Sequence, residues 1–595
     1  MKQLHHKGVL IPPLHRGRGL TIKVKGNTMK LTPEQEEMAI AWAKKVGTPY
    51  VEDRVFAKNF HRDFSKKLDI KVKPSEVDFT RVISFVEEER RWKANLSREE
   101  RKELASQRKD QRNANKERYG YAWVDGVQME VANYAVEPSS IFIGRGKHPL
   151  RGCWKEGPRA EHVELNLSPD ALRPQGNWKD ILWEPDAVWI ARWQDKLTSK
   201  TKYVWFSESS ILKQRKEMEK FDKAKELRQN LQRVQRHIWE GLDADDTKRR
   251  KMATVCFIID KLKIRVGDEK DRDEADTVGA STLRPEHVNL NSDGTVTFNF
   301  LGKDSIPHVF TVELPKNVIR NIKEFLANAK STLFDGIGSK HVSEFLDEVM
   351  IGLSAKAFRT CYASNAVEMK LERTHVKLED SEYRKKYIAT MANLEAAMVC
   401  NHRRTIPKTW KSSLHKKKIR LKAVQDRAKE IQAKLKKKIR EQKERYEERL
   451  RKQQERLKTT KEKLEAHHRQ LAHRKQQGKP VRALRKLIRL QRGTVTRQKQ
   501  RLRKLRAKHR EQLKRLKNRL KIRKEHYKAA IDILKLKIQT QKATRNYNLT
   551  TSLKSYIDPR IYYKWGKQVG YDWKRYYPKT LQRKFIWIEP ARTDC

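Results

Sequence analysis

The sequence predicts a multidomain α+β protein. Its expected parts are a mixed N-terminal domain, a mainly helical central domain with a small β-sheet, an antiparallel coiled-coil hairpin and a small helical C-terminal domain. Three observations predict this. A chain of 595 residues is too long for one hydrophobic core. Helical and alternating apolar patterns are mixed as far as residue 412. Beyond it lies a long stretch crowded with Lys, Arg, Glu and Gln, almost without aromatics.

Residues 1–210 read as the mixed domain. Thr32-Pro33-Glu34-Gln35 is a helix start: Thr caps, Pro suits the first turn and Gln35 can reach back. Asp125-Gly126 sits between Tyr121-Ala122-Trp123 and Val127-Gln128-Met129 and predicts a hairpin turn. Trp183, Trp189, Trp193 and Trp205 lie in apolar, strand-like stretches.

Residues 211–412 are mostly helical with one β element. Thr295-Val296-Thr297-Phe298-Asn299-Phe300 alternates as a half-buried strand does, and His308-Val309-Phe310-Thr311-Val312 reads as the returning strand. Lys303 then falls at the hairpin tip. In residues 413–543, Leu450, Leu457, Leu464 and Leu471 recur at heptad spacing. Gly478 and Pro480 break the pattern, and a second stripe runs through Leu484, Ile488, Leu502, Leu513, Leu520, Tyr527 and Leu534. The pattern predicts two antiparallel arms of about 45 residues or more, so roughly 65 Å or longer at 1.5 Å per residue, rather than a solvated single helix with no partner. Residues 544–595 form a compact end, with Trp565, Trp573, Tyr576, Tyr577, Phe585 and Trp587 to dock it.

The chain carries 136 Lys+Arg against 75 Asp+Glu, a formal net charge of +61. That balance points to a polyanion bound in a salt-sensitive way. No run of about 20 apolar residues suggests a membrane span, and Met1–His6 lacks an apolar signal-peptide core. The five cysteines are scattered, with no Cys-x-x-Cys pair, so neither a zinc site nor a disulfide framework is expected. A reducing compartment is the default.

Several basic signatures carry chemistry: Arg265-Val266-Gly267-Asp268-Glu269-Lys270, Leu301-Gly302-Lys303-Asp304-Ser305, Ala355-Lys356-Ala357-Phe358-Arg359-Thr360 and Cys400-Asn401-His402-Arg403. The last signature is Ser552-Leu553-Lys554-Ser555-Tyr556-Ile557-Asp558-Pro559-Arg560. Transesterification at phosphorus needs a nucleophile, stabilised oxygens, a proton for the leaving alkoxide and an in-line geometry. Arginine presents a planar, always-charged fork to phosphate, which suits Arg265 and Arg359. Lysine can lose basicity in a basic, desolvated site and so donate a proton, which suits Lys303. His402 can hydrogen-bond a phosphate oxygen, and Tyr556 can attack. Read one at a time these signals are weak. Arg265 is as readily a salt-bridge partner of Glu269, Lys303 a solvated lysine, His402 a surface contact and Tyr556 an ordinary tyrosine with a pKa near 10.

Read together and in order, the segments resemble type IB DNA topoisomerases of the eukaryotic kind. The resemblance extends through Ala275-Asp276-Thr277-Val278-Gly279, Cys400-Asn401-His402-Arg403-Arg404-x-x-Pro407-Lys408-Thr409 and Thr551-Ser552-x-Lys554-x-Tyr556-x-Asp558-Pro559-Arg560. Upstream, Glu137-Pro138 and Gly144-Arg145-Gly146-x-His148-Pro149 look like the family's cap-domain DNA contact. The resemblance implies a DNA-binding cap at 1–210, a catalytic core at 211–412, a linker at 413–543 and a C-terminal domain at 544–595 that delivers the nucleophile. It also implies that Arg265, Lys303, Arg359 and His402 cradle the transition state while Tyr556 forms a 3′-phosphotyrosine. Strand rotation and religation then relax supercoils of either sign, without ATP, metal or other cofactor. Further DNA contacts expected by local alignment are Arg145, Trp189, Lys202, Tyr203, Lys220, Glu269, Lys270 and Thr277. The expected partner is double-stranded DNA clamped by a monomer, with no membrane.

Departures from the family pattern matter too. The chain begins almost at the core, without the long hydrophilic extension of eukaryotic relatives. A compact enzyme of an archaeal lineage, cytoplasmic and nucleoid-associated, is the expectation, with nuclear residence if the host is eukaryotic. The linker is longer and more basic than usual, and Cys361-Tyr362 stands where the family often has Tyr-Asn. Ser555 stands where an Asn usually precedes the nucleophile, so a poor response to camptothecin is expected. Two other readings share parts of this pattern. A tyrosine recombinase has the same chemistry, but the cap-like segment and hairpin argue against it. A non-enzymatic architectural DNA binder would not need all five site residues.

Overall fold

The computed structural model describes residues 1–144, 146, 148–267, 277–302 and 306–589. They fall into two compact units, one of Met1–Leu378, Met391–Thr405 and Tyr547–Cys595, the other of Glu379–Thr390 and Ile406–Asn546. The fold is α+β, as the sequence predicts.

The first unit opens with small sheets. Leu4–His6 pairs antiparallel with Tyr121–Val124, which turns through Asp125-Gly126 into Val127–Glu130. Both turn residues have positive φ, 49° and 82°, the left-handed pair that matches the twist of a two-residue hairpin. The Asp125 carboxylate accepts the backbone N–H groups of Lys2 and Gln3, tying the chain start to this turn. A four-stranded sheet holds Asp180–Leu182, Val163–Asn166, Trp189–Gln194 and Thr201–Trp205, in that order. Trp189, Trp193 and Trp205 lie on its strands, and Trp183 is the residue after Asp180–Leu182. The helix Pro33–Ala43 begins with the expected reciprocal cap, Gln35 N donating to Thr32 Oγ1 and Thr32 N to Gln35 Oε1. Its Trp42 stacks on Phe60 at 4.5 Å within an aromatic core that includes Phe56, Phe64 and Phe79.

The helical part of the first unit is built around Thr247–Leu262 and Ala355–Glu372. Val255, Cys256, Ile258 and Ile259 of the former pack with Phe345, Phe358 and the sheet residues Val296, Phe298 and Phe300. The predicted hairpin is present as Thr295–Gly302 against Ile306–Glu313, with Val296 opposite Val312 and Gly302 opposite Ile306. A third strand, Val288–Leu290, joins its edge. Only three residues long, it offers too little alternation to be read from sequence.

Within the same unit the C-terminal segment docks through aromatic and charged groups. Phe585 and Trp587 lie against Phe221 at 6.2 and 6.4 Å, and Arg560 pairs with Asp222 at 2.6 Å. Buried Lys584 sits between Glu208 and Glu217 at 2.7 and 3.2 Å. These are two acceptors for one desolvated cation, as burial of charge requires.

The second unit is dominated by the helices Trp410–Gln476 and Arg482–Ala543. Trp410 Nε1 donates to the Gln541 carbonyl, Gln442 to Gln512, and Gln498 to Thr460. The rising and falling residue numbers make the pair antiparallel. Leu435, Leu484, Ile488, Val495, Leu502, Leu534 and Ile538 are buried along the seam, whereas Leu450, Leu457, Leu464 and Leu471 are half-buried. Two helices alone cannot cover a seam on all sides. Among the described residues no helix is long and apolar enough to cross a membrane.

Candidate functional site

Arg359 organises the candidate site. It lies one turn into the helix Ala355–Glu372, on its buried face between Phe358 and Thr360, and is only 4 % exposed. A guanidinium so buried must spend its donors. Nη1 donates to Tyr556 Oη at 3.1 Å, and Nη2 donates to the Cys400 carbonyl at 2.8 Å and to His402 Nε2 at 3.0 Å. Its carbon lies 4.6 Å from the centre of the Tyr556 ring. Nε is buried without a hydrogen-bond partner among the described residues.

Tyr556 follows the short helix Leu549–Ser555 and is 4 % exposed. Its main chain is fixed on two sides. Its N–H donates to the Ser552 carbonyl at 2.9 Å, while its own carbonyl accepts from Ser364 Oγ at 3.2 Å. Asp558 N donates to that same Ser364 hydroxyl at 3.0 Å. Ser364 belongs to the helix that carries Arg359, so Tyr556 and Arg359 share a support.

His402 is buried at 8 % exposure, its ring centre 5.0 Å from that of Tyr556. Burial first, then the positive fields of Arg359 and Arg265 and the nearby His308, push its pKa down to about 3. The ring is therefore neutral at pH 7. Arginine only donates, so Nε2 accepts and the ring proton is assigned to Nδ1, which donates to Ser552 Oγ at 2.7 Å.

Arg265 is exposed and follows the helix Thr247–Leu262, with its carbonyl accepting Ala280 N at 2.8 Å. It lines a cavity of about 280 Å³ together with Gly302, His308, Arg359, Asn401 and His402. Lys303 follows Gly302 and lies outside the described residues, as do Arg145, Glu269 and Lys270. The structure thus gathers Arg265, Arg359, His402 and Tyr556 from four separated segments.

Of the other described candidates, Thr277 precedes Val278, which lines the same cavity, whereas Trp189, Lys202, Tyr203 and Lys220 do not line it. Trp189 is only 3 % exposed, its indole N–H donating to Glu184 and Arg192 lying over its ring, so it is a core residue of its sheet. Tyr203 faces outward and Lys202 is half-buried on Thr201–Trp205, with Tyr203 against Trp205 at 4.8 Å. Lys220 pairs with Glu217 at 2.6 Å and lies over Phe221, and burial lowers its pKa to about 8. Thr277 is half-buried beside Val278, whose N–H donates to the Leu301 carbonyl.

Sequence reasoning missed three residues that face or brace the site. His308 stacks on Phe300 at 5.3 Å and shares a 2.7 Å hydrogen bond with Asn401. Burial and the arginines push its pKa down to about 4. Asn401 holds a positive φ of 49° directly before His402, a conformation its short amide tolerates. Ser552 braces both His402 and Tyr556. Asn401 and Ser552 both lie inside the sequence motifs, but nothing in the motifs says what they touch.

Fold and cluster together define the class, a type IB DNA topoisomerase. Comparison with known proteins narrows it. Three family models match: "Eukaryotic DNA topoisomerase I, DNA binding fragment" over residues 1–206, "Eukaryotic DNA topoisomerase I, catalytic core" over 209–435, and "C-terminal topoisomerase domain" over 528–594. DNA topoisomerase 1 beta of Arabidopsis thaliana is 33 % identical over 438 residues, covering 72 % of this chain and 47 % of that protein. DNA topoisomerase 1 of Homo sapiens is 28 % identical over 618 residues, covering the whole chain and 71 % of that protein. DNA topoisomerase 1 of Candidozyma auris is 33 % identical over 421 residues, covering 68 % of this chain and 55 % of that protein. The chain spans about half the length of the Arabidopsis relatives. The chain belongs to the eukaryotic-type DNA topoisomerase I family.

Proposed function

We propose that the protein relaxes positive and negative supercoils in double-stranded DNA by cutting one strand, letting it rotate and resealing it. The observation that carries this reading is the bridge Arg359 makes between Tyr556 Oη and His402 Nε2. A tyrosine oxygen held on a guanidinium beside a neutral imidazole and a second arginine has the parts needed to attack a phosphodiester.

Tyr556 Oη attacks phosphorus and gives up its proton to solvent water, and an O–P bond forms. The bond to the 5′ oxygen breaks, and that oxygen takes a proton, a role assigned to Lys303. Arg359 Nη1 holds Tyr556 Oη by a 3.1 Å hydrogen bond and so keeps the attacking oxygen in place. Arg359 and Arg265 stabilise the charge growing on the non-bridging oxygens. The phosphodiester energy is kept in the phosphotyrosine, so religation by the 5′ hydroxyl needs no ATP. The N-terminal domain acts as the cap on the duplex and 413–543 as the linker, with a single chain clamping DNA.

A relaxation assay on positively and negatively supercoiled plasmid, without nucleotide, tests the reading. Both substrates should relax at protein concentrations low enough to exclude pairing of chains. Activity that appears only as two duplexes are joined would favour recombination instead.

A further inference from the structure

Tyr556 and His402 are not independently placed. The segment that delivers the tyrosine hangs on His402 at two points. Asn548 N, at the start of Leu549–Ser555, donates to the His402 carbonyl at 2.7 Å. At mid-helix, Ser552 Oγ meets His402 Nδ1, also at 2.7 Å. The Ser552 carbonyl then accepts from Tyr556 N and Ile557 N at 2.9 and 3.1 Å. Ser552 is fully buried, so its hydroxyl has no water to turn to.

The chemistry places a conflicting demand on His402. In the free protein Nε2 must accept, because it faces an arginine. A phosphate in the adjoining cavity offers only acceptors, so the same Nε2 would have to donate. The low pKa of the ring makes gaining a second proton costly, which leaves moving the proton from Nδ1 to Nε2. Nδ1 then needs a donor where it previously had an acceptor. A hydroxyl is the smallest side chain that can serve as either, by rotating about one bond.

We propose that Ser552 is a positioning residue whose hydroxyl holds His402 in both tautomers, accepting from Nδ1 before DNA binds and donating to it once a phosphate occupies the cavity. The inference rests on the phosphotyrosine reading above. The Ser552 hydroxyl acts through the imidazole. The groups that face that imidazole are Arg359, Arg265, His308 and Tyr556.

The test is a double-mutant cycle on the full chain, read as single-turnover formation of covalent adduct on a suicide duplex. Ser552→Ala should slow adduct formation by roughly tenfold, the effect of one lost buried hydrogen bond, with duplex affinity unchanged. Ser552→Thr, which keeps the hydroxyl, should recover most of that loss. In a His402→Ala background, Ser552→Ala should slow the residual reaction no further. A tenfold loss in both backgrounds would show that Ser552 acts through the Tyr556 main chain alone, and an undiminished rate in Ser552→Ala would show that no brace is needed. Either result overturns the proposal. A wild-type protein that forms no adduct at all would instead overturn the underlying reading.

Discussion

At the scale of single residues, Arg359 makes three directed hydrogen bonds from one buried guanidinium, so charge alone cannot replace it. Arg359→Lys keeps the charge but loses the planar fork. It should slow adduct formation on the order of a hundredfold, the lower end for losing a preorganised donor, while duplex binding changes little. A variant as fast as wild type in single-turnover cleavage would remove Arg359 from the chemistry. His402 adds a pH dependence. Its folded pKa is depressed below the unfolded value near 6.5, so the unfolded state binds the proton first. Its contribution to stability is complete above about pH 6.5 and declines as pH falls towards about 3. Calorimetry between pH 7 and 4 should show the unfolding temperature dropping, and His402→Gln should flatten that drop. Lys303 is tested with a substrate carrying sulfur at the bridging 5′ position, a leaving group that needs no proton. Lys303→Ala should be slow on the ordinary bond and close to wild type on the sulfur-bridged one. An equal defect on both would give Lys303 a different role.

The residues legible in the sequence were those whose side chains carry phosphoryl-transfer chemistry by themselves, namely arginines, a histidine and a tyrosine. Ser552 and Asn401 were in view but silent, because a serine or asparagine gains its role only from what it meets. Ser552 meets His402 across 150 positions, and Asn401 meets His308 across 93. A single sequence carries no record of such pairings. Trp189 shows the opposite difficulty. Local alignment places it among the DNA contacts, whereas it is 3 % exposed and its neighbours Ile190 and Ala191 are buried with it.

At the scale of elements, the helix Leu549–Ser555 is short and depends on its cap. Asn548 Oδ1 accepts Thr550 N at 3.2 Å, satisfying a donor the helix cannot satisfy itself. Asn548→Ala should destabilise this segment by about 1 kcal/mol. Hydrogen exchange should accelerate across 549–556 while the strands Val288–Leu290, Thr295–Gly302 and Ile306–Glu313 stay protected. Uniform acceleration would mean that the segment is not a local unit. The two long helices were legible because their apolar residues recur at heptad spacing and Gly478 and Pro480 interrupt them where the chain turns between Gln476 and Arg482. The hairpin at 295–313 was legible for the same reason, a clean period, whereas Val288–Leu290 is recruited by the edge of its neighbour rather than by any pattern of its own.

At the scale of the molecule, the net charge of +61 governs binding more than any one contact. Affinity for duplex should fall linearly on a log–log plot as salt rises, in proportion to the phosphates neutralised. Rejoining residues 1–412 with a separate 544–595 fragment, and so omitting the basic hairpin, should restore relaxation but flatten that slope and end processive relaxation at lower salt. A reassembled protein that forms no adduct even at low salt would place the hairpin within the active site itself. Composition made the polyanion legible, but it could not distinguish an enzyme's site from a passive coat. That distinction rests on the convergence of Arg359, His402 and Tyr556.

Mapping the covalent adduct tests that convergence most directly. The protein is mixed with duplex DNA and denatured with detergent, and the DNA-linked peptide is identified by mass spectrometry alongside a Tyr556→Phe variant. The wild type should yield a 3′-phosphoryl linkage on Tyr556, and the variant none while still binding duplex. An adduct on another residue, or one that persists in the variant, would contradict the account.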